Sequence, residues 1–282
     1  MPTDLTPAAL RFVLISDRTG GARPGVFEQG LAVTDLLAPD FAIQLGDVIE
    51  GYTEDRTELE RQWEEVDALY AGMRTRVVQV PGNHDVSNPV QAEMWRARRG
   101  PTYHHFRRDD VLFCIVDTQD PAVDLADQPL SVGHDRQRFL EAWNGTQPAR
   151  LSETQLAYWE RVLAEHADVR WTFVCLHMPL WQGDHPAWWR FRRALGLRQY
   201  TAFAGHVHSY RHDLIASRSH VRLGPTGGMW VLDDPGANAD HVTQVALTDR
   251  GPVVANVLLD GVRSLDGRRP VPAPTVSVPL SG

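Results

Sequence analysis

Only two cysteines, Cys114 and Cys175, occur in 282 residues, and both sit inside apolar runs. That scarcity rules out a disulfide-stapled scaffold, and two buried, reduced thiols are the expectation. Basic charge is also short: 28 Lys and Arg against 36 Asp and Glu give a formal net charge of −8. A nucleic-acid partner normally requires a basic face, so this balance argues against one, while surplus carboxylates suit cation binding. No apolar run approaches the ~20 residues that a membrane span needs. Met1 to Leu10 has no basic stretch followed by an apolar core, so no signal peptide is expected, and a soluble cytoplasmic protein is the default. Internal repeats, Gly/Ser-rich linkers and composition breaks are missing too. The expectation is therefore one domain over 1–267 and a proline-rich tail over 268–282. What is present is an ordinary apolar fraction of 43%, enough for a substantial core.

Hydrophobic periodicity predicts an alternating chain. Strands are expected at Leu10–Ile15, Phe41–Leu45 and Arg76–Val80, separated by helices at Pro24–Leu37 and Glu54–Tyr70. This alternation implies parallel pairing with helical crossovers. Pro89–Arg98 reads as a helix with proline at its start. Tyr103–Phe106 and Val111–Val116 read as strands joined by Asp109 and Asp110. Asp117–Arg150 mixes Pro, Asp and Gly and reads as a surface excursion with a short helical pattern at Arg136–Trp143. Ser152-Glu153-Thr154-Gln155 is a capping-box pattern opening a helix to about His166. Strands at Arg170–Leu176 and Tyr200–Ala204 flank a helix at Trp188–Leu195. Beyond them the pattern turns to short strands: Arg211–Ile215, His220–Leu223, Gly228–Leu232, Val242–Leu247 and Val253–Leu259.

The chemistry-bearing residues follow the strands. Pro81-Gly82-Asn83-His84-Asp85 closes one strand, and alone it reads as easily as a turn. Similar ends recur, with Asp17, Asp47, His177, and His206 with His208 each placed just past a buried run. In parallel α/β sheets the carboxyl ends of strands lie along one edge, where ligands bind. Convergence would gather two carboxylates, one amide and three imidazoles. That is more than one cation with an open position needs, but it suits two cations sharing a carboxylate at ~3.5–4 Å separation. A mixed nitrogen and oxygen set suits Mn, Fe, Zn, Co or Ni better than Ca or Mg.

Gly46-Asp47, Gly82-Asn83-His84-Asp85, the His177 block and Gly205-His206-Val207-His208 stand in the order seen in calcineurin-like metallophosphoesterases. The chain resembles that superfamily over roughly Arg11 to Tyr210. The resemblance implies an α/β, four-layer α-β-β-α sandwich of two mixed β-sheets flanked by helices, with two divalent metal ions at the strand ends. It implies that Asp47 bridges the metals, that Asp17 and His208 hold metal one, and that Asn83, His177 and His206 hold metal two. His84 would protonate the leaving oxygen, oriented by Asp85, while a hydroxide bridging the metals attacks phosphorus in line. The implied substrate is a small phosphate ester, monoester or diester, with oligomeric state open. The alternative is a non-catalytic metal-binding or scaffolding relative.

One motif departs from the pattern. Where the superfamily has Asp-x-His, this chain has Asp17-Arg18-Thr19. Three readings compete. Glu50 could substitute, since it stands three residues after Asp47, the offset of a tyrosine ligand in the purple acid phosphatase branch. Metal one could be held weakly, by fewer side chains and water. Or metal two alone binds and Arg18 supplies the missing positive charge to phosphate. Trp181, His185, Trp188 and Trp189 could wall a substrate pocket or be packing, and Tyr210-Arg211 could touch phosphate. Arg96–Arg99 reads as a solvated helix end, and His104, His105, His134, His212, His220 and His241 as surface or structural residues.

Overall fold

Successive side chains of a strand point to opposite faces, so an uninterrupted apolar run forces burial on both sides. In β1 (Leu10–Ile15), Phe12 and Leu14 are buried on one face and Val13 and Ile15 on the other. The structure, a computed structural model, describes residues 10–124, 149–230 and 239–259. β1 sits in the middle of a first sheet with β2 (Phe41–Gln44), β3 (Val77–Gln79), β10 (His241–Thr248) and β11 (Gly251–Leu258). The order is β11-β10-β1-β2-β3, with β1, β2 and β3 parallel and the last two strands antiparallel. A second sheet is built from β4 (His104–Arg108), β5 (Val111–Val116), β6 (Trp171–Leu176), β7 (Tyr200–Ala204), β8 (Arg211–Ile215) and β9 (Arg218–Arg222). Its order is β4-β5-β6-β7-β9-β8, parallel from β5 through β9 and antiparallel at both edges.

Five helices among the described residues cover the outside: α1 (Val26–Leu37), α2 (Arg56–Ala71), α3 (Pro89–Arg99), α4 (Glu153–Glu165) and α5 (Pro186–Leu195). Between the sheets lies an aromatic core, with Phe12 edge-on to Phe113 and Phe173 at 5.3 and 4.9 Å. α1 packs Phe27 and Leu31 on the outer face of the first sheet. α4 and α5 pack Leu156, Trp159, Trp188 and Phe191 on the outer face of the second. The result is the expected α/β sandwich of two mixed sheets between helical layers. Cys114 faces the helices and Cys175 faces the other sheet, both buried and free.

Local signals behave as the chemistry requires. Asp55, Asn88 and Ser152 cap α2, α3 and α4 by accepting from Thr57, Gln91 and Gln155 backbone N–H at 2.9, 3.0 and 3.1 Å. The reciprocal half of the Ser152 box differs, because the Gln155 amide instead brackets the Asp117 backbone at 3.1 and 2.9 Å. A strand is not formed over Gly228–Trp230, the described part of the Gly228–Leu232 segment. Its backbone is drawn off to the β1 turn, where Gly228 N–H and Met229 N–H donate to Asp17 and Gly20 carbonyls at 2.8 and 3.1 Å. The helix expected at Arg136–Trp143 and the tail over 268–282 lie outside the described residues. Among the described residues no helix is long and apolar enough to cross a membrane.

Candidate metal centre

Five strands end at one rim, three from the first sheet and two from the second. β1 runs into Asp17, β2 into Asp47 and β3 into Asn83 and His84, while β6 runs into His177 and β7 into His206 and His208. A strand can aim a side chain sideways only if the backbone turns sharply, and here it does. Asp17, Asp47, His206 and His208 take left-handed φ of 47°, 57°, 72° and 56°. Such conformations in non-glycine residues are costly and concentrate at functional sites. Glycines let the turns touch. A Cβ on Gly82 would lie 2.2 Å from Asp47 Oδ1, and one on Gly205 would lie 2.4 Å from Asp17 Oδ2.

The rim brings together all six residues expected to hold metal. Asp47, His177 and His206 form one three-residue group and Asp17, Asp47 and His208 another, with ligand atoms of each within 4.8 Å of one another. Asp47 belongs to both. Its Oδ2 lies 3.0 Å from His177 Nε2, and its Oδ1 accepts the His84 backbone N–H at 2.9 Å. Asn83 Oδ1 lies 2.9 Å from His177 Nε2, which places the amide oxygen beside the first group. Asp17 Oδ1 lies 3.4 Å from His208 Nε2 and accepts the His206 backbone N–H at 2.9 Å. Outer contacts fix two of the rings: His177 Nδ1 bonds the Leu45 carbonyl at 2.7 Å, and His208 Nδ1 bonds the Met229 carbonyl at 2.5 Å.

The electrostatics match this packing. Burial opposes ionisation of Asp47, but the His177, His84 and His206 imidazoles outweigh it and hold the carboxyl below the usual range. His208 does the same for Asp17. Burial works against a charge on His177, yet Asp47 and Asp17 raise it to about 9. His206 is pushed down to about 3 by burial and by His177. Two buried carboxylates among imidazoles and an amide oxygen fit borderline divalent cations.

His84 is buried at the rim, with Nε2 3.9 Å from Asp47 Oδ2. Its Nδ1 bonds the Glu50 backbone carbonyl at 2.7 Å. The orientation expected from Asp85 therefore comes from a main-chain oxygen. Asp85 instead lies behind the Asp47 turn, accepting backbone N–H from Asp47, Val48, Ile49 and Gly82 at 2.8, 2.9, 3.2 and 2.8 Å. Burial and the Asp47 charge push its carboxyl up to about 6 despite these four donors. Asp85 shapes the turn that carries Asp47 rather than the imidazole of His84.

The irregular first motif is resolved into defined contacts. Thr19 is buried, and its hydroxyl meets the Asp47 and Ile49 carbonyls at 3.0 and 2.7 Å, tying the β1 turn to the β2 turn. Glu50 accepts from Ala22 N–H at 3.2 Å and joins neither metal group. Arg18 donates to the Val48 carbonyl at 2.9 Å and pairs with Glu65 on α2. Among the described residues the second group thus keeps Asp17, Asp47 and His208 without a replacement ligand.

Of the aromatic candidates, Trp181 and Trp188 pack against buried His220, with ring centroids at 5.2 and 5.8 Å. Trp189 is exposed and donates to Asp184 at 3.0 Å. Arg211 pairs with Asp213, and Arg98 and Arg99 pair with Asp67 on α2. One residue at the rim escaped sequence reasoning. Tyr52 meets Asn83 Nδ2 at 2.8 Å and stands edge-on to His84, with centroids 4.8 Å apart. The only trace it leaves in the sequence is an aromatic five residues past Asp47, which no periodicity marks.

Residues 10–210 match the family described as calcineurin-like phosphoesterase. A search of curated proteins finds no match. Among solved structures, a dimetal phosphatase from Danio rerio is similar with 16% identity and a TM-score of 0.63, covering 89% of this chain and 97% of that one. A purple acid phosphatase from yellow lupin seeds is similar with 14% identity and a TM-score of 0.59, covering 90% of this chain and 52% of that one. GAP50, the anchor in the inner membrane complex of Plasmodium, is similar with 14% identity and a TM-score of 0.55, covering 89% of this chain and 85% of that one. At these identities the likeness is one of fold.

Proposed function

Because the chain belongs to the calcineurin-like phosphoesterase family, we propose that it hydrolyses a small phosphate ester, monoester or diester, at a pair of divalent cations. The observation that carries this reading is the sharing of Asp47 between two buried three-residue groups. Asp47, Asn83, His177 and His206 would hold one cation, and Asp17, Asp47 and His208 the other. Mn, Fe, Zn, Co or Ni suit such donors. When bound, the cations would supply Lewis-acid stabilisation of the phosphoryl oxygens and activate a water.

The chain's own residues do the rest. Asp47 and Asp17, ionised among imidazoles, provide fixed negative charge that would hold two cations side by side. With His84 Nδ1 bonded to the Glu50 carbonyl, the opposite ring nitrogen, Nε2, is the one that would deliver a proton to the leaving oxygen. The acidic balance favours a small substrate over a nucleic acid. A cytoplasmic setting suits two free thiols.

Elemental analysis with monoester and diester p-nitrophenyl substrates in excess manganese tests the reading. His84→Ala should keep its metal and lose roughly 10²–10⁴ in turnover; unchanged turnover would remove His84 from the chemistry. Asp47→Asn should deplete both cations together, and retention of both would refute sharing.

Thr19 supports a second reading, a relative that binds metal without turnover, since the superfamily's histidine is replaced by a residue spent on backbone carbonyls. Full metal content with neither substrate hydrolysed would favour it.

A further inference from the structure

The segment between Asp47 and α2 holds a short loop, Glu50-Gly51-Tyr52, which touches the site through backbone and side chain at once. Gly51 and Tyr52 take left-handed φ of 57° and 50°. For tyrosine this conformation is costly, and it persists only where surroundings over-determine it. The surroundings here are the metal group. The Glu50 carbonyl holds His84 Nδ1 at 2.7 Å. The Tyr52 hydroxyl accepts from Asn83 Nδ2 at 2.8 Å. Its ring stands edge-on to His84 at an interplanar angle of 82°.

Asn83 has an amide whose two ends are chemically opposite: the oxygen can ligate a cation and the nitrogen cannot. A half-turn about its last bond would present the wrong end to His177 and Asp47. The phenol, which can donate as well as accept, does not choose the end by itself, but it anchors the amide plane against the rim, where the ligand-facing side must carry the oxygen to serve a cation. With Nδ2 tied to Tyr52, Oδ1 faces His177 Nε2 at 2.9 Å.

We infer that Tyr52 is a positioning residue for the cation site of Asp47, His177 and His206, acting through the amide of Asn83. The inference rests on the metal-binding reading given above. It assigns the Glu50–Tyr52 loop the task of holding the amide ligand and the proton-donating imidazole in one register.

Tyr52→Phe keeps the ring and its edge contact and removes only the hydroxyl. Affinity for Mn²⁺ and Zn²⁺ is read on the full chain by competition with a fluorescent chelator, for wild type, Tyr52→Phe, Asn83→Ala and the double variant. Far-UV circular dichroism before metal addition checks that each has folded. Tyr52→Phe should weaken binding at the site of Asp47, Asn83, His177 and His206 about 10–100-fold, the usual worth of an outer contact to a ligand. In the Asn83→Ala background the same change should add nothing, since its effect runs through that amide. Unchanged affinity in Tyr52→Phe would overturn the inference, as would an equal loss with and without Asn83. Both of those outcomes leave the phosphoesterase reading standing. Wild-type protein that takes up neither cation would overturn the two together.

Discussion

Gly82→Ala adds one methyl group and separates steric organisation of the centre from its donor chemistry. The new Cβ would stand 2.2 Å from Asp47 Oδ1, 2.4 Å from Asp47 N and 3.0 Å from Asp47 Cγ. An ordinary carbon contact needs ~3.5 Å, so the carboxylate must retreat by roughly 1 Å. It has little room, because Oδ1 holds the His84 backbone N–H at 2.9 Å and the Asp47 N–H is anchored on Asp85 at 2.8 Å. Overpacking of this kind costs about 1–3 kcal/mol, and for a chain of this size each kcal/mol moves the melting temperature by about 2–4 °C. A 1 Å misplacement of a catalytic group costs roughly 10²-fold in rate. Gly82→Ala should therefore lower both cation occupancies together by elemental analysis, depress turnover by about 10²-fold, and melt a few degrees early. Gly72→Ala is the control, since its Cβ would meet nothing nearer than the Leu69 carbonyl at 3.4 Å. Gly82→Ala protein with both cations bound at wild-type affinity would refute the idea that the β2 and β3 turns are held in contact by that glycine.

Three further outcomes follow from the same contacts. Asp85→Asn turns an amide donor toward two of the four backbone N–H groups now facing carboxylate oxygen, so metal retention should fall; full retention with a shifted pH–rate profile would return Asp85 to His84. Arg18→Ala breaks the Glu65 pair and should cost about 1 kcal/mol or less in stability while leaving inhibition by inorganic phosphate unchanged; weakened phosphate binding would put Arg18 back in the pocket. His220 is fully buried, and burial pushes its imidazole down to about 4. The unfolded chain takes up that proton first as pH falls below about 6.5, so stability is lost between about pH 6.5 and 4, by up to roughly 3 kcal/mol. Denaturant titrations of wild type and His220→Gln across that window should show a flatter acid limb in the variant, and parallel limbs would contradict it.

The residues that meet at the rim were legible because each stands just past an apolar run, and strand ends are where a parallel sheet exposes side chains. The layers were legible too, since the alternation of Phe12 and Leu14 with Val13 and Ile15 already requires cover on both faces. What stayed hidden depends on partners distant in sequence or on the main chain. Glu50 orients His84 with its carbonyl, and no side-chain identity announces that. Arg18 is directed by Glu65, a pairing set by where α2 lands. Asp85 looked like a partner for its neighbour, yet the nearest donors in space were the backbone of a turn some 38 residues earlier. Gly228–Trp230 has the composition of a strand, but its N–H groups are spent on Asp17 and Gly20. The closing of the first sheet by β10 and β11, beside β1, is likewise a long-range choice that local periodicity leaves open.

Neither metal group belongs to one sheet. Asp17, Asp47 and Asn83 leave the first, and His177, His206 and His208 leave the second. A cation bound in either group would add a further cross-link between two layers already joined by apolar contact and by rim hydrogen bonds such as His177 to Leu45 and His206 to Asp17, like a rivet at the open rim of the sandwich. Folding and metal uptake are then one thermodynamic quantity. Free metal at 100 times its dissociation constant adds about 2.7 kcal/mol to the native state, and a chelator becomes a mild denaturant whose action begins at the rim. Cellular metal supply would set how long the chain survives as well as how fast it works.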